Sequence, residues 1–311
     1  MNPLKLLALF FALFATGCIK NDFANCPPKA NTTLYFTLTD RENNPLFPAF
    51  IHHVELFIYD GNGHQAGRST VSGKELNLFA GKRLWLAPGT YTVVAWANTT
   101  DARSQIMEDA NRHYLDRTHN FLIHAVATND VIENGDPLYY APATGNTPLT
   151  VTVPAKGNVE ATAEFRRAHI KMDVTIEGYD PISTRDTTLP LKVEITDLTS
   201  RYSFGMEAHG DRVSYVQYAS LRDSDRKIFT VSFNIPILDS SSTTQICVTN
   251  HAGRLILAPI SLREILGDRI KIEEVVHLPV RIKFTQENGL IQAAVTVDLP
   301  QWGEGVVKPN V

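Results

Sequence analysis

Short runs in which apolar residues alternate with polar ones are the feature that most limits what this 311-residue chain can fold into. Leucine and phenylalanine occupy every second position in residues 34–38, and residues 54–58 repeat the pattern. A period of two is that of a β-strand with one buried face. Further apolar runs lie at residues 193–195, 229–235, 246–248, 255–257, 280–284 and 291–299. Regular short strands of this kind predict an all-β protein built from β-sandwiches.

The phase of the alternation changes at Arg166-Arg167. Apolar residues occupy odd positions from Val159 to Phe165 and even positions from Ala168 to Ile176. A slip of one residue moves a whole hydrophobic set to the other face of a strand, so the chain either forms a bulge there or crosses between sandwiches. We favour a crossing and place the domain boundary near Lys156. The predicted domains are two tandem sandwiches, residues 32–155 and 156–311.

Two segments are predicted to be helical. Asp101 to Asp116 carries apolar residues at roughly helical spacing, which indicates a surface helix. Ser261 with Glu264 three residues later is a capping box that opens a one-turn helix, and Gly267 can end it. The fold class is therefore all-β with a few short helices.

A β-hairpin is predicted between Leu84 and Trp96. Pro88-Gly89 suits the two central positions of a type II turn, and apolar residues flank it on both sides. We expect this hairpin to form part of the core of the first domain.

The N-terminus has the pattern of a bacterial lipoprotein signal. Lys5 precedes an apolar run from Leu6 to Ala15, and small residues then lead to Gly17-Cys18. Ten apolar residues are too few to span a bilayer and are typical of a signal peptide. Residues 1–17 are predicted to be removed by cleavage between Gly17 and Cys18, with lipid attached to Cys18 and a tether over residues 18–31. The alternatives are an ordinary secretory signal and a single membrane anchor.

The net charge and the cysteine content limit the functions and the disulfides that the chain can have. A net charge of −4 gives no electrostatic footprint for nucleic acid. Of the three cysteines, Cys26 and Cys247 remain after Cys18. They could pair in an oxidising compartment, or Cys247 could be a buried, inert thiol.

No catalytic residue and no metal ligand is predicted. Phosphate loops, nucleophile elbows and zinc-helix motifs do not occur in the sequence. His52-His53 is an adjacent pair, but neighbours in a strand point to opposite faces and do not share a metal. The carboxylates suggest no glycosidase pair, so a hydrolase is the minority hypothesis. No cofactor is expected apart from the covalent lipid on Cys18.

Aromatic residues offer a binding alternative. Tyr139-Tyr140 and Trp302 are candidates for stacking on sugars or for packing in the core. A surface lipoprotein that captures glycans is therefore kept as an alternative function.

Several short motifs follow one another along the chain: Gly17-Cys18, Asn25-Cys26-Pro27, Leu86 to Asn98, Leu138-Tyr139-Tyr140, Phe165 to Ala168 and Trp302. In order and spacing they resemble the fimbrial anchor lipoproteins of Bacteroidales-type bacteria, the fimbrillin-A-associated or Mfa-like family. The resemblance implies transthyretin-like sandwiches and a lipid-anchored subunit that attaches a fimbria to the outer membrane and limits fimbrial length. Lys20-Asn21-Asp22 resembles the signal that sends such lipoproteins to the outer surface, so the resemblance also implies exposure at the cell surface. A shaft or tip subunit is the alternative within the family.

The resemblance also implies the partners. These are other fimbrial subunits, joined by β-strand exchange, and the outer membrane, reached through the lipid. In strand exchange, backbone hydrogen bonds supply affinity and alternate side chains set the register. The candidate segment runs close to the C-terminus, with one face formed by Ile291, Ala293, Val295, Val297 and Leu299.

Overall fold

The computed structural model describes residues 29–39, 44–47, 49–99, 103–125, 128, 131–144, 147–179, 191–223, 227–239, 241–250, 252–267, 275–287 and 290–297. In chain order the strands are β1 (Thr32–Thr37), β2 (His53–Tyr59), β3 (Gln65–Ser72), β4 (Gly81–Leu84), β5 (Gly89–Ala97), β6 (Gln105–Met107), β7 (Phe121–Ile123), β8 (Val131–Ile132), β9 (Tyr139–Tyr140), β10 (Pro142–Thr144), β11 (Thr147–Val153), β12 (Val159–Glu164), β13 (Arg166–Arg167), β14 (His169–Glu177), β15 (Leu191–Ser203), β16 (Ala208–Asp223), β17 (Ile228–Pro236), β18 (Gln245–Thr249), β19 (Leu255–Ser261), β20 (His277–Glu287) and β21 (Leu290–Val297). The helices are α1 (Gly73–Leu78) and α2 (Leu262–Leu266). The predicted all-β class with a few short helices is confirmed.

The N-terminal sandwich consists of a three-stranded sheet and a seven-stranded sheet. The strand order is β12-β1-β4 in the first and β10-β11-β5-β2-β3 in the second, which also contains β9 and β13. Leu34 of the first sheet and Leu56 and Val93 of the second belong to one buried cluster. Apolar burial between two sheets is therefore what holds this half of the chain together.

The strand pairing changes at the phase change in the sequence and not at Lys156. Strand β12 lies beyond Lys156 but pairs in parallel with β1, and Phe165 still packs in the N-terminal core. Strand β13 pairs with β9 in the seven-stranded sheet, whereas β14 begins the next sandwich. The one-residue slip at Arg166-Arg167 accompanies this passage, because the chain leaves one core and turns its next apolar set toward another.

The predicted hairpin between Leu84 and Trp96 is wrong. Strand β4 pairs with β1, whereas β5 pairs with β2 and β11, so residues 85–88 carry the chain from one sheet to the other. Both strands still face the same core, since Leu84 and Tyr91 both pack in it. Alternation indicated the two strands correctly but contained no information about which sheet each one joins.

The predicted surface helix at Asp101 to Asp116 is also wrong. Within its described part the chain forms the short strand β6, followed by turns. Strand β6 pairs with β7, and the backbone N–H groups of Arg103 and Ser104 donate to the Asp136 carboxylate at 3.0 and 2.8 Å. Tertiary pairing outweighs the weak helical periodicity of this segment.

The predicted one-turn helix near Ser261 is present as α2. The Ser261 hydroxyl accepts a hydrogen bond from the backbone N–H of Arg263, and Gly267 ends the helix at a φ of 69°. Only glycine takes this conformation without strain, which explains its position after the last turn.

The C-terminal sandwich forms from one strongly folded sheet. Its strand order is β19-β18-β15-β16-β17-β14-β20-β21, with β6, β7 and β8 attached. Most of β16 pairs with β15, but its last residues, from Ser220, pair with β17, so β16 passes from one layer to the other. Ile195 of one layer and Met172 and Ile282 of the other belong to a single buried cluster.

A third buried cluster joins the two sandwiches. Phe57 and Trp96 project from the outer face of the seven-stranded sheet. They meet Tyr202 near the end of β15 and Phe204 in the turn that follows it. The ring centroids of Phe57 and Phe204 are 5.0 Å apart, and those of Trp96 and Tyr202 are 5.8 Å apart. We call this group, with the neighbouring apolar residues that pack in it, the junction cluster. Strands β2 and β5 are consequently buried on both faces.

An ionic network lies at the margin of the junction cluster. The Arg68 guanidinium is 2.8 Å from the carboxylate of Glu55 and 3.4 Å from that of Glu108, and the Tyr59 hydroxyl donates to Glu108 at 3.4 Å. Burial raises the pKa of Glu108, and the charge of Arg68 opposes this effect. Glu108 follows β6 of the C-terminal sheet, so these contacts also connect the two sandwiches.

We expect Phe204→Ala to lower the free energy of unfolding by about 3–5 kcal/mol, because it leaves a cavity in fully buried packing against Phe57 and Tyr59. Urea denaturation followed by tryptophan fluorescence measures the loss. Tyr218→Ala is the matched control, since that ring is 62% exposed and should change the stability by less than about 1 kcal/mol. Equal losses in the two variants would contradict the role assigned to the junction cluster.

Two buried histidines make stability depend on pH. Burial lowers the pKa of His124 to about 3 and that of His169 to about 4. The Nδ1 atom of His124 is hydrogen bonded to the Tyr215 hydroxyl at 2.6 Å, and Nδ1 of His169 donates to the Leu138 carbonyl at 2.9 Å. Both rings are therefore neutral in the folded state near neutral pH.

We expect the free energy of unfolding to be highest above pH 6.5 and to fall as the pH drops toward 4. The unfolded histidines take up protons near pH 6.5 while the folded ones do not, which gives a slope of about 1.4 kcal/mol per pH unit for each ring. Urea titrations at a series of pH values measure the slope. His169→Gln should remove about half of it, and an unchanged slope in that variant would rule out His169 as a source.

Candidate functional site

The segment proposed for strand exchange is strand β21, at one end of the C-terminal sheet. It pairs with β20 in antiparallel register, and no other strand in the described part of the chain pairs with it. The other edge of β21 therefore has backbone N–H and C=O groups without a strand partner among those residues. Such groups are the ones to which a further strand can bind.

The register places the predicted face of β21 on the same side as the buried face of β20. Val295 lies opposite Ile282, and Val297 lies opposite Val280. Both valines are partly buried and pack against the C-terminal core, whereas Ala293 is exposed. The backbone of Ile291 belongs to β21, and Leu299 lies outside the described residues.

Strand β20, the pairing partner of β21, is well buried. It lies between β21 and β14, with which it pairs in parallel, and Val280, Ile282 and Phe284 are buried. Charged groups line its outward face, where the Arg281 guanidinium is 3.2 Å from the Glu177 carboxylate. Lys283 is exposed on the same face, opposite Ala294 of β21.

A polar cluster ties β20 to the strands behind it. The Asp173 carboxylate on β14 is 2.8 Å from the His277 ring of β20 and accepts a hydrogen bond from the Ser232 hydroxyl of β17. Hydrogen bonding by His277 is the largest cause that holds the pKa of Asp173 well below its usual range. Three adjacent strands are thus connected across their outer face.

The amino-acid composition of β21 differs from that of the other long strands at sheet ends. The eight residues of β21 include no charge and no proline. The other sheet-end strands of at least four residues each contain one or the other: Arg68 in β3, Lys82 and Arg83 in β4, Glu160 and Glu164 in β12, and Pro259 in β19. Charges and proline discourage edge-to-edge pairing, so among these longer described sheet-end strands β21 is the one without this protection.

The predicted lipid site lies outside the described residues. Gly17 and Cys18 are both in the part of the chain that is not described, and so is Cys26. Cys247 is buried and forms no disulfide with another described residue, and burial raises the pKa of its thiol. Its pairing with Cys26 stays untested. No helix within the described ranges is long and apolar enough to cross a bilayer.

Of the two roles considered for the aromatic candidates, the structure supports packing in the core for Tyr139 and Tyr140. Tyr139 and Tyr140 are buried in β9, where they pack into the N-terminal core and the junction cluster respectively. Trp302 lies outside the described residues. The sequence pattern missed Trp85, which is 53% exposed in the segment between the two N-terminal sheets. Its place between Leu84 and Leu86 in an alternating run is the signal that could have predicted an outward ring.

The described residues contain no group of three or more metal-ligating side chains. The His53 ring is 3.8 Å from the Glu55 carboxylate and close to Thr99, within a strand. Asp136 accepts hydrogen bonds from Arg103 and Ser104, which is a structural role.

A family profile and several solved structures match this chain. The profile of the family described as fimbrillin-A associated anchor proteins Mfa1 and Mfa2 matches residues 23–308. No curated protein matches the sequence significantly.

The solved structures share the fold at low sequence identity. The fimbrial anchor protein Mfa2 from Porphyromonas gingivalis is 16% identical with a TM-score of 0.64, and the match covers 88% of this chain and 98% of that one. A candidate adhesin from Bacteroides ovatus is 13% identical with a TM-score of 0.67, covering 92% and 98%. A candidate polysaccharide-binding protein from Bacteroides thetaiotaomicron is 15% identical with a TM-score of 0.65, covering 87% and 96%.

Proposed function

We propose that this chain, which belongs to the family of fimbrillin-A associated anchor proteins, attaches a fimbria to the outer membrane and limits its length. Family membership makes it a fimbrial structural protein of the cell surface that associates with other fimbrial subunits, and not an enzyme. The finer proposal has two parts: a lipid on Cys18 holds the chain in the membrane, and β21 joins it to the next subunit by strand exchange.

The unprotected edge of β21 is the observation that carries the joining step. A strand from another subunit can add to the free edge, or it can take the place of β21 beside β20. Either way it forms a row of backbone hydrogen bonds, each worth about 0.5–1.5 kcal/mol net. Val295 and Val297 are only partly buried, so β21 has fewer apolar contacts to lose than β20 has.

The signal pattern ending at Gly17-Cys18 supports the membrane step. Acyl chains contribute about 0.8 kcal/mol per buried CH₂ group, and two or more chains give stable attachment. A subunit fixed in lipid at its N-terminus can be extended from one side only. Growth of the polymer would stop at this subunit, which accounts for a limit on length.

Glycan capture is the second candidate, supported by the exposed rings of Trp85 and Tyr35. The residues around Tyr35 argue against glycan capture. The rings of Tyr35 and Phe79 meet at 71°, and the Arg83 guanidinium lies 5.2 Å from the centre of the Phe79 ring. These aromatic rings therefore do not form the flat platform on which sugar rings stack.

We expect Ala294→Glu combined with Thr296→Glu to block subunit joining while the fold is kept. The new carboxylates face Lys283 and Arg281 across the β20–β21 pair, so the stability should change by less than about 1 kcal/mol. They also place two charges on the edge and should reduce strand addition at least tenfold. Co-purification of fimbrial subunits measures the joining.

Ala258→Glu on β19, the other end of the same sheet, is the matched control and should leave joining intact. Normal co-purification of subunits with the β21 double variant would show that β21 is not the joining edge.

We expect Cys18→Ala to abolish palmitate labelling and to release fimbriae into the medium, because the lipid is the proposed attachment. Counts of retained and shed fimbriae, with labelling of outer-membrane fractions, measure both effects. Cys26→Ala is the control and should keep the label. Loss of label with normal fimbrial retention and length would contradict the anchor role and favour a shaft or tip subunit.

A further inference from the structure

Trp85 is an exposed indole in an uncharged protrusion. It follows β4 in the segment that crosses between the N-terminal sheets, and 53% of its surface is exposed, whereas Trp96 in the junction cluster is fully buried. The neighbouring Leu86 points into the core, and residues 87–89, Ala-Pro-Gly, are exposed. The protrusion therefore presents apolar and backbone surface to its surroundings without a charge of its own.

The tether meets the first sandwich beside this protrusion. The backbone N–H of Asn31 donates to the Leu84 carbonyl at 3.0 Å. The Asn31 side chain donates to the Leu86 carbonyl at 2.8 Å and accepts from the Leu86 N–H at 3.0 Å. Three hydrogen bonds thus hold the first described residues against the backbone on both sides of Trp85.

A second exposed turn lies at the same end of the sandwich. Residues 154–158 connect β11 to β12. Val153, just before this turn, pairs with Gly89, and Val159, just after it, pairs with Thr32, so the turn lies next to residues 85–89 and to the start of β1. The turn is exposed throughout and contains Lys156 as its charged residue.

The exposed lysines at this end of the sandwich favour binding to a negatively charged surface. Lys29 is exposed two residues before Asn31, in addition to Lys156. The acidic residues nearby are Asp60, in the turn after β2, and Glu160, the second residue of β12. The Asp60 carboxylate accepts hydrogen bonds from the N–H groups of Asn62 and His64 in its own turn, and the Glu160 carboxylate accepts one from the Tyr35 hydroxyl at 3.1 Å. A lysine near an anionic lipid surface strengthens binding by roughly fivefold.

The length of the tether keeps this end close to the membrane. Residues 18–30 separate the proposed lipid on Cys18 from Asn31 and span at most about 45 Å when fully extended. A short linker raises the effective concentration of the surface it carries, so even weak contacts with lipid would form often. Tryptophan prefers the boundary between lipid headgroups and hydrocarbon, because its ring is apolar and its N–H is polar.

We infer that the end of the N-terminal sandwich formed by residues 85–89, residues 154–158 and Lys29 lies against an anionic lipid surface, with Trp85 inserted among the headgroups. This inference rests on the proposed attachment through Cys18. The contact orients the anchored chain, so that the lipid and the sandwich hold it at two points and the C-terminal sandwich is directed away from the bilayer.

The test places the lipidated full-length chain, with Trp302→Phe, in vesicles of equal parts phosphatidylcholine and phosphatidylglycerol with brominated acyl chains. The fluorescence of Trp85 is obtained by subtracting the emission of the same chain with Trp85→Phe from the emission of this chain. Buried Trp96 contributes equally to both and cancels. We expect bromine to quench Trp85 and aqueous acrylamide to lose access to it. Full acrylamide access in vesicles would overturn the inference.

Charge reversal sharpens the test. Lys29→Glu with Lys156→Glu should reduce the bromine quenching of Trp85 severalfold, since each lysine contributes roughly fivefold to binding. Tyr218→Ser, at an aromatic position of the C-terminal sandwich that is 62% exposed, should not change the quenching of Trp85. Protection of Trp85 by soluble polysaccharide in the absence of vesicles would assign the surface to glycan and overturn the lipid contact.

Palmitate labelling of the same preparation separates the two proposals. A labelled chain whose Trp85 stays accessible to acrylamide contradicts only the lipid contact. An unlabelled chain contradicts attachment at Cys18 and, with it, this inference.

Discussion

The junction cluster is the contact on which the rest of the structure depends. A sheet with two apolar faces cannot leave either face in water, and β2 and β5 are buried on both sides. One face packs against the three-stranded sheet, and the other, through Phe57 and Trp96, packs against Tyr202 and Phe204. Each sandwich therefore completes the burial of the other, and the two form one continuous packed body.

This packing bears on the proposed role as an anchor. The proposed lipid attachment lies before β1 of the first sandwich, and the proposed joining edge is β21 of the second. A force between membrane and fimbria would pass through the junction cluster and through the ionic contacts of Arg68 with Glu55 and Glu108. Rings in contact across a buried surface resist such displacement better than a linker between independent domains, because parting them exposes apolar area.

Several elements could be predicted because their signals are local. Period-two alternation indicated β1, β2 and β14, and the serine cap with Gly267 indicated α2. The wrong predictions concern partners distant in sequence. The residues on either side of Pro88-Gly89 form two strands, β4 and β5, in different sheets, and the segment after Arg103 is a strand because it pairs with β7. For Tyr139 and Tyr140 the sequence left sugar stacking and core packing open, and neighbouring strands bury both rings.

Amino-acid order alone determined the all-β class, the signal pattern at Gly17-Cys18, the uncharged composition of β21 and the slip at Arg166-Arg167, because each depends on residues adjacent in the chain. Only the tertiary structure decided that β12 returns to pair with β1, that β21 lies at the end of its sheet, and that Trp85 stands beside the start of β1. The physical reason is that strand pairing joins backbones remote in sequence, and a strand's own alternation is compatible with many partners.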